Sequence, residues 1–145
     1  MIALAADHGG FVLKEAVRAW LDGQGIAYED FGSFDGASCD YPDVAAPACE
    51  AVVSGACDKA LLFCGTGIGI SMAANKIKGI RAACCSDYFS AKYTRMHNNA
   101  NALCMGGRVV GPGLAIELAD VFLRTEFEGG RHQRRIDKLS ALENR

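Results

Sequence analysis

Residues 59–69 read Lys-Ala-Leu-Leu-Phe-Cys-Gly-Thr-Gly-Ile-Gly, an apolar run that leads directly into three alternating glycines. An apolar run without polar alternation predicts a strand that is buried on both faces, as in a parallel sheet. A glycine-rich loop before a helix offers backbone amides and a positive helix end to an anion. We therefore expect a central strand at 59–64 and an anion-binding loop at 65–69.

Similar apolar runs and helical patterns occur on both sides of this segment. Further strands are predicted at 2–6, 26–31, 80–85 and 102–105. Residues with the apolar spacing of amphipathic helices lie between them, at 13–21, 42–53, 87–97 and 114–122. This alternation predicts an α/β fold, a three-layer α/β/α sandwich of about five parallel strands flanked by helices. A chain of 145 residues is the length of a single domain, here 1–145.

Composition excludes several classes of protein. Fifteen basic and 17 acidic side chains give a net charge of −2, which provides no basic field for nucleic acid or an anionic membrane. The chain has no apolar run long enough to span a bilayer and no signal-peptide pattern at its start, so we expect a cytoplasmic protein. The seven cysteines form no C-x-x-C pair and the three histidines lack metal-ligand spacing, so neither disulfides nor a metal site is predicted.

The candidates for chemistry follow the predicted strands, because open parallel sheets bind ligands at the carboxyl ends of their strands. Asp7-His8-Gly9-Gly10 is either an anion site or a tight turn in which Asp7 caps a helix. Cys64 faces amide donors and a helix start, which favour the thiolate, and a thiolate there can act as a base. A dinucleotide fingerprint fails, because Ile70 occupies the position of its third glycine.

Two further candidates lie on predicted helices. His97 ends the helical stretch 87–97 beside three asparagines, and it is either a proton-transfer group or a helix cap. Arg131 and Arg135 are four residues apart and share one helix face. They form either a phosphate site or a solvated basic face.

Six strings carry a resemblance to a known family: D-H-G-G, D-Y-P-D, C-G-T-G-I-G-I-S-M-A-A-N-K, H-N-N-A-N, G-G-R-V-V-G and E-G-G-R-H-Q-R-R. In this order and spacing the chain resembles the ribose-5-phosphate isomerase B family of sugar-phosphate isomerases over nearly its whole length. The resemblance implies a Rossmann-like aldose–ketose isomerase, without metal or cofactor, that interconverts ribose 5-phosphate and ribulose 5-phosphate. It also implies a homodimer or tetramer whose site is shared between subunits, with the C-terminal helix at the dimer interface.

The resemblance further assigns a role to individual residues. Cys64 matches the catalytic base and His97 the residue that opens the sugar ring, with Thr66 and Asp7 as further catalytic residues. The remaining substrate contacts that it implies are His8, Tyr41, Gly65, Gly67, Ile68, Gly69, Asn98, Arg108, Arg131 and Arg135. Asn99 departs from the family, which usually has aspartate there. Two alternatives stay open: an isomerase for a six-carbon phosphate such as allose 6-phosphate or galactose 6-phosphate, and a non-catalytic sensor of sugar phosphates or nucleotides.

Overall fold

A computed structural model describes all 145 residues and contains one parallel sheet with the strand order β2-β1-β3-β5-β4. All five predicted strands are confirmed. The edge strands β2 and β4 are shorter than predicted, since they pair on one side only. The strands are β1 (Ile2–Ala6), β2 (Tyr28–Asp30), β3 (Lys59–Cys64), β4 (Ala82–Cys84) and β5 (Ala102–Gly106).

Helices cover both faces of the sheet, which confirms the three-layer sandwich. The helices are α1 (Phe11–Gln24), α2 (Tyr41–Val53), α3 (Ile68–Ala74), α4 (Tyr88–Asn98), α5 (Pro112–Arg124) and α6 (Arg131–Ala141), followed by a 3₁₀ turn, Leu142–Asn144. Apolar side chains of α1, α4 and α5 form one core cluster with one face of the sheet. Those of α2 and α3 form a second cluster with the other face.

The predicted apolar faces of the helices are confirmed except at helix ends. The spacing also predicts Lys14 on the solvent side of α1, and this prediction is wrong, because Lys14 is fully buried and its Nζ donates to Asp30 Oδ1 at 2.8 Å. Leu13, Val17 and Leu21 of α1 are buried, and Gly25, in the left-handed conformation at φ 68°, ends this helix. Val53 and Leu114 were expected on buried faces, and this prediction is wrong because both are exposed. Each lies in a terminal turn of its helix, where the sheet no longer covers the side chain.

The topology determines where a ligand can bind. Strand β1 lies between β2 and β3. The connection after β1 therefore leads to one side of this strand, and the connection after β2 leads back to its other side. A crevice forms at the carboxyl ends of strands where such a reversal occurs. The loops after β1 and β3 both lie at this switch point. None of the helices combines the length and hydrophobicity that crossing a bilayer requires.

Candidate active site

Three glycine-containing loops meet at the carboxyl ends of β1, β3 and β5. A Cβ atom on Gly9 would lie 2.9 Å from the Gly65 nitrogen, and one on Gly106 would lie 2.5 Å from the carbonyl carbon of Thr66. A Cβ on Gly107 would collide with the carbonyl oxygen of Gly9. Only residues without a Cβ allow these backbones to approach so closely. Gly106 and Gly107 were not among the predicted site residues, although they begin the string G-G-R-V-V-G at a strand end.

Cys64 ends β3 and begins the segment that we call the cradle (residues 64–69). Its side chain is buried, and its Sγ accepts a hydrogen bond from the Gly67 amide at 3.1 Å. Gly67 has φ 80°, a left-handed conformation that turns the chain from the strand into α3. Thr66 is exposed, and its Oγ1 accepts from the Ile68 amide at 3.2 Å.

Other amides of the cradle remain free. Those of Gly65, Thr66 and Gly69 donate to no protein acceptor. Backbone amides without partners at a helix start are donors for an anion or a developing oxyanion. The cradle thus combines a thiol with free hydrogen-bond donors at the switch point of the sheet.

The loop after β1 is organised differently. Asp7 is buried, and its Oδ1 accepts hydrogen bonds from the amides of Gly9 at 2.9 Å and Gly10 at 3.2 Å. These two amides are therefore unavailable to an anion, and of the two alternatives for this loop the structure favours the turn held by Asp7. His8 is exposed, and its Nδ1 accepts from the Cys39 amide at 3.4 Å.

Tyr41 and Arg108 lie beside the cradle. Tyr41 is the first residue of α2, and its ring packs so closely on Gly69 that a Cβ there would lie 2.8 Å from ring atom Cζ. The amide of Arg108 donates to the Gly65 carbonyl at 3.0 Å, and its guanidinium lies over the same glycine. Both side chains are exposed, so an aromatic ring and a cation are available to a ligand in the cradle.

The other predicted site residues lie far from the cradle in the same chain. Helix α4 begins beyond the carboxyl end of β4 and runs back along the sheet for 11 residues, about 16 Å. His97 and Asn98 therefore lie at the opposite end of the sheet from Cys64. Exposed Arg131 and Arg135 lie on α6, which packs against this end of α4. No hydrogen bond, ion pair or ring contact joins this set to the cradle.

His97 belongs to a cluster that the sequence did not reveal. Its ring stacks on His132 with centroids 4.2 Å apart and planes at 12°. Glu128 Oε2 lies 3.9 Å from His97 Nε2 and 3.5 Å from His132 Nε2. Burial, followed by the neighbouring His97 and Arg131, lowers the pKa of His132. Spacing along the sequence predicted no grouping of histidines, and packing of α6 on α4 creates one.

Asn99 has a structural role in this chain. It adopts the left-handed conformation at φ 46° and ends α4, a conformation that asparagine tolerates well. Its Oδ1 accepts from Arg95 Nη1 at 2.9 Å, and its carbonyl accepts from Arg81 Nε at 2.9 Å. The side chain therefore holds a buried guanidinium and makes no hydrogen bond to His97.

The cysteines differ in exposure. Cys84 was expected to be buried in its strand, and this prediction is wrong: it lies on the last position of an edge strand and is exposed, with Sγ 3.8 Å from the Thr66 carbonyl. Burial raises the pKa of Cys49 and of Cys85 to about 12, which makes both thiols poor nucleophiles. Cys64 is the thiol that accompanies free amide donors.

An open parallel sheet with a thiol and an amide-lined cradle at its switch point defines a Rossmann-like enzyme for a small anionic substrate. A profile of the Ribose/Galactose Isomerase family matches residues 2–139. The chain belongs to this family.

Curated relatives align along the whole chain. YwlF of Bacillus subtilis, named as a sugar phosphate isomerase, is 53% identical over 99% of this chain and 97% of its own length. Ribose-5-phosphate isomerase B of Escherichia coli is 45% identical over 99% of this chain and 97% of its own length. D-erythrulose-4-phosphate isomerase of Pectobacterium atrosepticum is 40% identical over 99% of this chain and 95% of its own length.

Solved structures share the fold. Ribose-5-phosphate isomerase B of Clostridium thermocellum has a TM-score of 0.97 and 46% identity, covering 99% of this chain and 97% of that one. The enzyme of Mycoplasma genitalium, solved with bound ribulose 5-phosphate, has a TM-score of 0.91 and 42% identity, covering 99% and 95%. These matches confirm the Rossmann-like fold and the isomerase family predicted from the sequence.

Proposed function

We propose that this chain, acting as one domain over residues 1–145, interconverts ribose 5-phosphate and ribulose 5-phosphate. The observation that carries the proposal is the Cys64 thiol beside the free amides of the cradle. Aldose–ketose conversion needs a base near C2 and donors for the enediolate oxygen, and the cradle offers both. The bound ribulose 5-phosphate of the Mycoplasma relative supports this substrate.

Cys64 removes the C2 proton and returns it to C1, while the enediolate loses the O2 hydroxyl proton and O1 gains a proton from His97, which leaves the ketose. The Gly67 amide donates a hydrogen bond to the Cys64 sulfur and so holds the side chain in place within the cradle. The amides of Gly65, Thr66 and Gly69 and the Thr66 hydroxyl meet the oxygen on which charge develops. A preorganised donor of this kind contributes about 3 kcal/mol to the transition state. Asp7 contributes by holding the neighbouring loop through Gly9 and Gly10.

His97 opens the furanose ring by proton transfer, and Asn98, Arg131 and Arg135 hold the sugar and its phosphate. Because α4 carries His97 and Asn98 about 16 Å back along the sheet, and α6 with the two arginines packs against that end of α4, one chain does not complete the site. We propose a homodimer in which the partner's His97 faces the cradle, with α6 at the interface. Exposed Ile68 and Met72 on α3, and exposed Phe89 in the first turn of α4, support an association surface at the end of the sheet that carries the cradle.

The substrate is tested with a panel of phosphorylated aldoses of four, five and six carbons, assayed for ketose formation. We expect the highest kcat/KM with ribose 5-phosphate, because the guanidinium groups of Arg131 and Arg135, which hold the substrate phosphate, and the base at Cys64 suit one distance between the phosphate and C2. A higher kcat/KM with allose 6-phosphate, galactose 6-phosphate or a tetrose phosphate would replace the proposed substrate.

A second experiment separates catalysis from sensing. Ribose 5-phosphate incubated with the protein in deuterated water acquires carbon-bound deuterium if Cys64 exchanges its proton with solvent during turnover. A sensor binds the sugar without exchange. Binding without either deuterium uptake or ketose formation would therefore contradict the isomerase proposal.

A further inference from the structure

We propose that His97, Glu128 and His132 form a binding site for a divalent transition-metal ion such as Zn²⁺, and that the bound ion inhibits the isomerase. The ligand atoms of these three side chains lie within 4.8 Å of one another. The proposal of a binding site depends on this geometry alone. The inhibition rests in addition on the proposed function, because the ion would occupy the His97 nitrogen that ring opening uses.

The donor distances suit a tetrahedral ion. Zn²⁺ binds imidazole nitrogen and carboxylate oxygen at about 2.0–2.2 Å, so two donors on a tetrahedral ion lie about 3.4 Å apart. Glu128 Oε2 lies 3.5 Å from His132 Nε2 and 3.9 Å from His97 Nε2. Closing these two distances around an ion requires shifts of a few tenths of an ångström. The two imidazole nitrogens, which lie within 4.8 Å of each other, must approach by up to about 1.4 Å.

The stacked rings must tilt to share an ion. Their planes diverge by only 12°, so the two nitrogen lone pairs lie in nearly parallel planes and do not converge on one point. His132 is held by α6 and largely buried, whereas the side chain of His97 is 38% exposed and that of Glu128 44% exposed. His97 and Glu128 therefore have room to turn toward an ion, and solvent has access to its fourth coordination position.

The ligand chemistry selects the class of ion. Two imidazoles and one carboxylate suit Zn²⁺, Co²⁺ and Ni²⁺, whereas Mg²⁺ and Ca²⁺ require oxygen ligands. The positive charges of Arg131 and Arg135 lie near His132 and would repel a cation bound there. Among the groups acting on His132, Glu128 is the one carboxylate that offsets this repulsion. We therefore expect weaker binding than at a closed structural zinc site. The Glu128 amide donates to the Met96 carbonyl at 3.1 Å, which ties the carboxylate's loop to α4.

Metal binding is tested directly with Co²⁺, which absorbs visible light strongly in a tetrahedral site, and with Zn²⁺ by calorimetry. The unaltered protein is compared with Glu128→Gln, His132→Asn and Cys64→Ser. Glu126→Gln is the matched control, since it removes the same charge from an exposed residue two positions away. We expect one ion per chain in the unaltered protein, Cys64→Ser and Glu126→Gln, and affinity reduced by at least about tenfold in the other two.

Three results would overturn the site. Unreduced affinity in Glu128→Gln and His132→Asn would place the ion elsewhere, and loss of binding in Cys64→Ser would place it on the thiol. Absence of any binding would refute the site outright. Because Glu128 is exposed, its substitution tests the proposal even if the buried His132→Asn variant fails to fold.

Inhibition is measured as ketose formation with and without Zn²⁺, followed by a chelator. We expect Zn²⁺ to inhibit, the chelator to restore activity, Mg²⁺ to have no effect, and half-inhibition of Glu128→Gln to need at least about ten times more Zn²⁺. Binding at the cluster without inhibition would refute the inhibitory role and argue against ring opening by His97. If the protein lacked isomerase activity altogether, the Co²⁺ spectra would still decide the metal site.

Discussion

The cradle and the histidine cluster bring reactive groups together by different means. The cradle is made of backbone: glycines let three loops pack without Cβ atoms, and its donors are amides that cannot turn away. The cluster of His97, Glu128 and His132 is made of side chains, two of them substantially exposed. A site of fixed amides is preorganised for one developing charge, whereas a site of movable side chains can accept a sugar, a phosphate or an ion.

The largest expected effect comes from removing the thiol. Cys64→Ala should lower kcat by about 10³-fold, because no other base lies in the cradle, while affinity for the phosphorylated sugar changes little. Steady-state kinetics and calorimetry measure the two quantities. Cys84→Ala is the matched control, since it removes an exposed thiol near Thr66 and should retain activity. Near-full turnover by Cys64→Ala would assign the proton transfer to another group.

Mixing variants tests whether the two regions meet between subunits. Cys64→Ala and His97→Asn are each expected to be nearly inactive. After dissociation and reassociation of an equal mixture, half of the dimers are mixed, and each contains one site with both residues intact. Activity should therefore rise to about a quarter of that of the unaltered protein. Failure to recover activity, with mixed dimers demonstrated by mass, would argue against a shared site.

A Cβ in the cradle should have an intermediate effect. Gly67 has φ 80°, and a Cβ there would lie 2.8 Å from the carbonyl carbon of Met105. Gly67→Ala should reduce the free energy of unfolding by about 1–3 kcal/mol and lower kcat, since it displaces the amide that donates to Cys64. Gly23→Ala lies in the last turn of α1, where an added Cβ meets nothing within 4 Å, and it should instead stabilise by about 0.4–1 kcal/mol.

Normal kcat in Gly67→Ala would show that the cradle tolerates movement of its backbone. It would weaken the distinction between fixed amides and movable side chains. Urea unfolding measures the stability of both glycine variants, and the isomerase assay measures kcat.

The smallest expected effect lies at position 99. Arg95 is buried, donates to Asn99 and to two carbonyls, and has no carboxylate within ion-pair distance. Asn99→Asp should raise the free energy of unfolding by about 1 kcal/mol at neutral pH, and the gain should disappear in acid as the new carboxyl is protonated. Activity should stay unchanged, because Asn99 makes no hydrogen bond to His97. A changed dependence of kcat on pH would show instead that position 99 acts on that histidine.

Local patterns were sufficient to predict the layers of the fold and one half of the site. The apolar run before Cys64 and the glycines after it predicted a buried strand and a donor-rich loop, because both depend on neighbours in the chain. The sequence left the role of the loop at Asp7 open, because Asp7-His8-Gly9-Gly10 suits both an anion site and a tight turn capped by Asp7. Exposure of Val53, Leu114 and Cys84 was mispredicted, because periodicity does not show where the sheet ends.

The sequence by itself determined the alternation of strands and helices, the family, and which residue types carry reactive groups. Periodicity and turn chemistry are local properties, so they do not depend on how the strands and helices are arranged in space. Only the tertiary structure decided that Gly106 and Gly107 close the cradle, that Glu128 and His132 join His97, and that α4 carries this cluster away from Cys64. These proximities depend on strand order and helix packing, which bring together residues that no spacing along the chain connects.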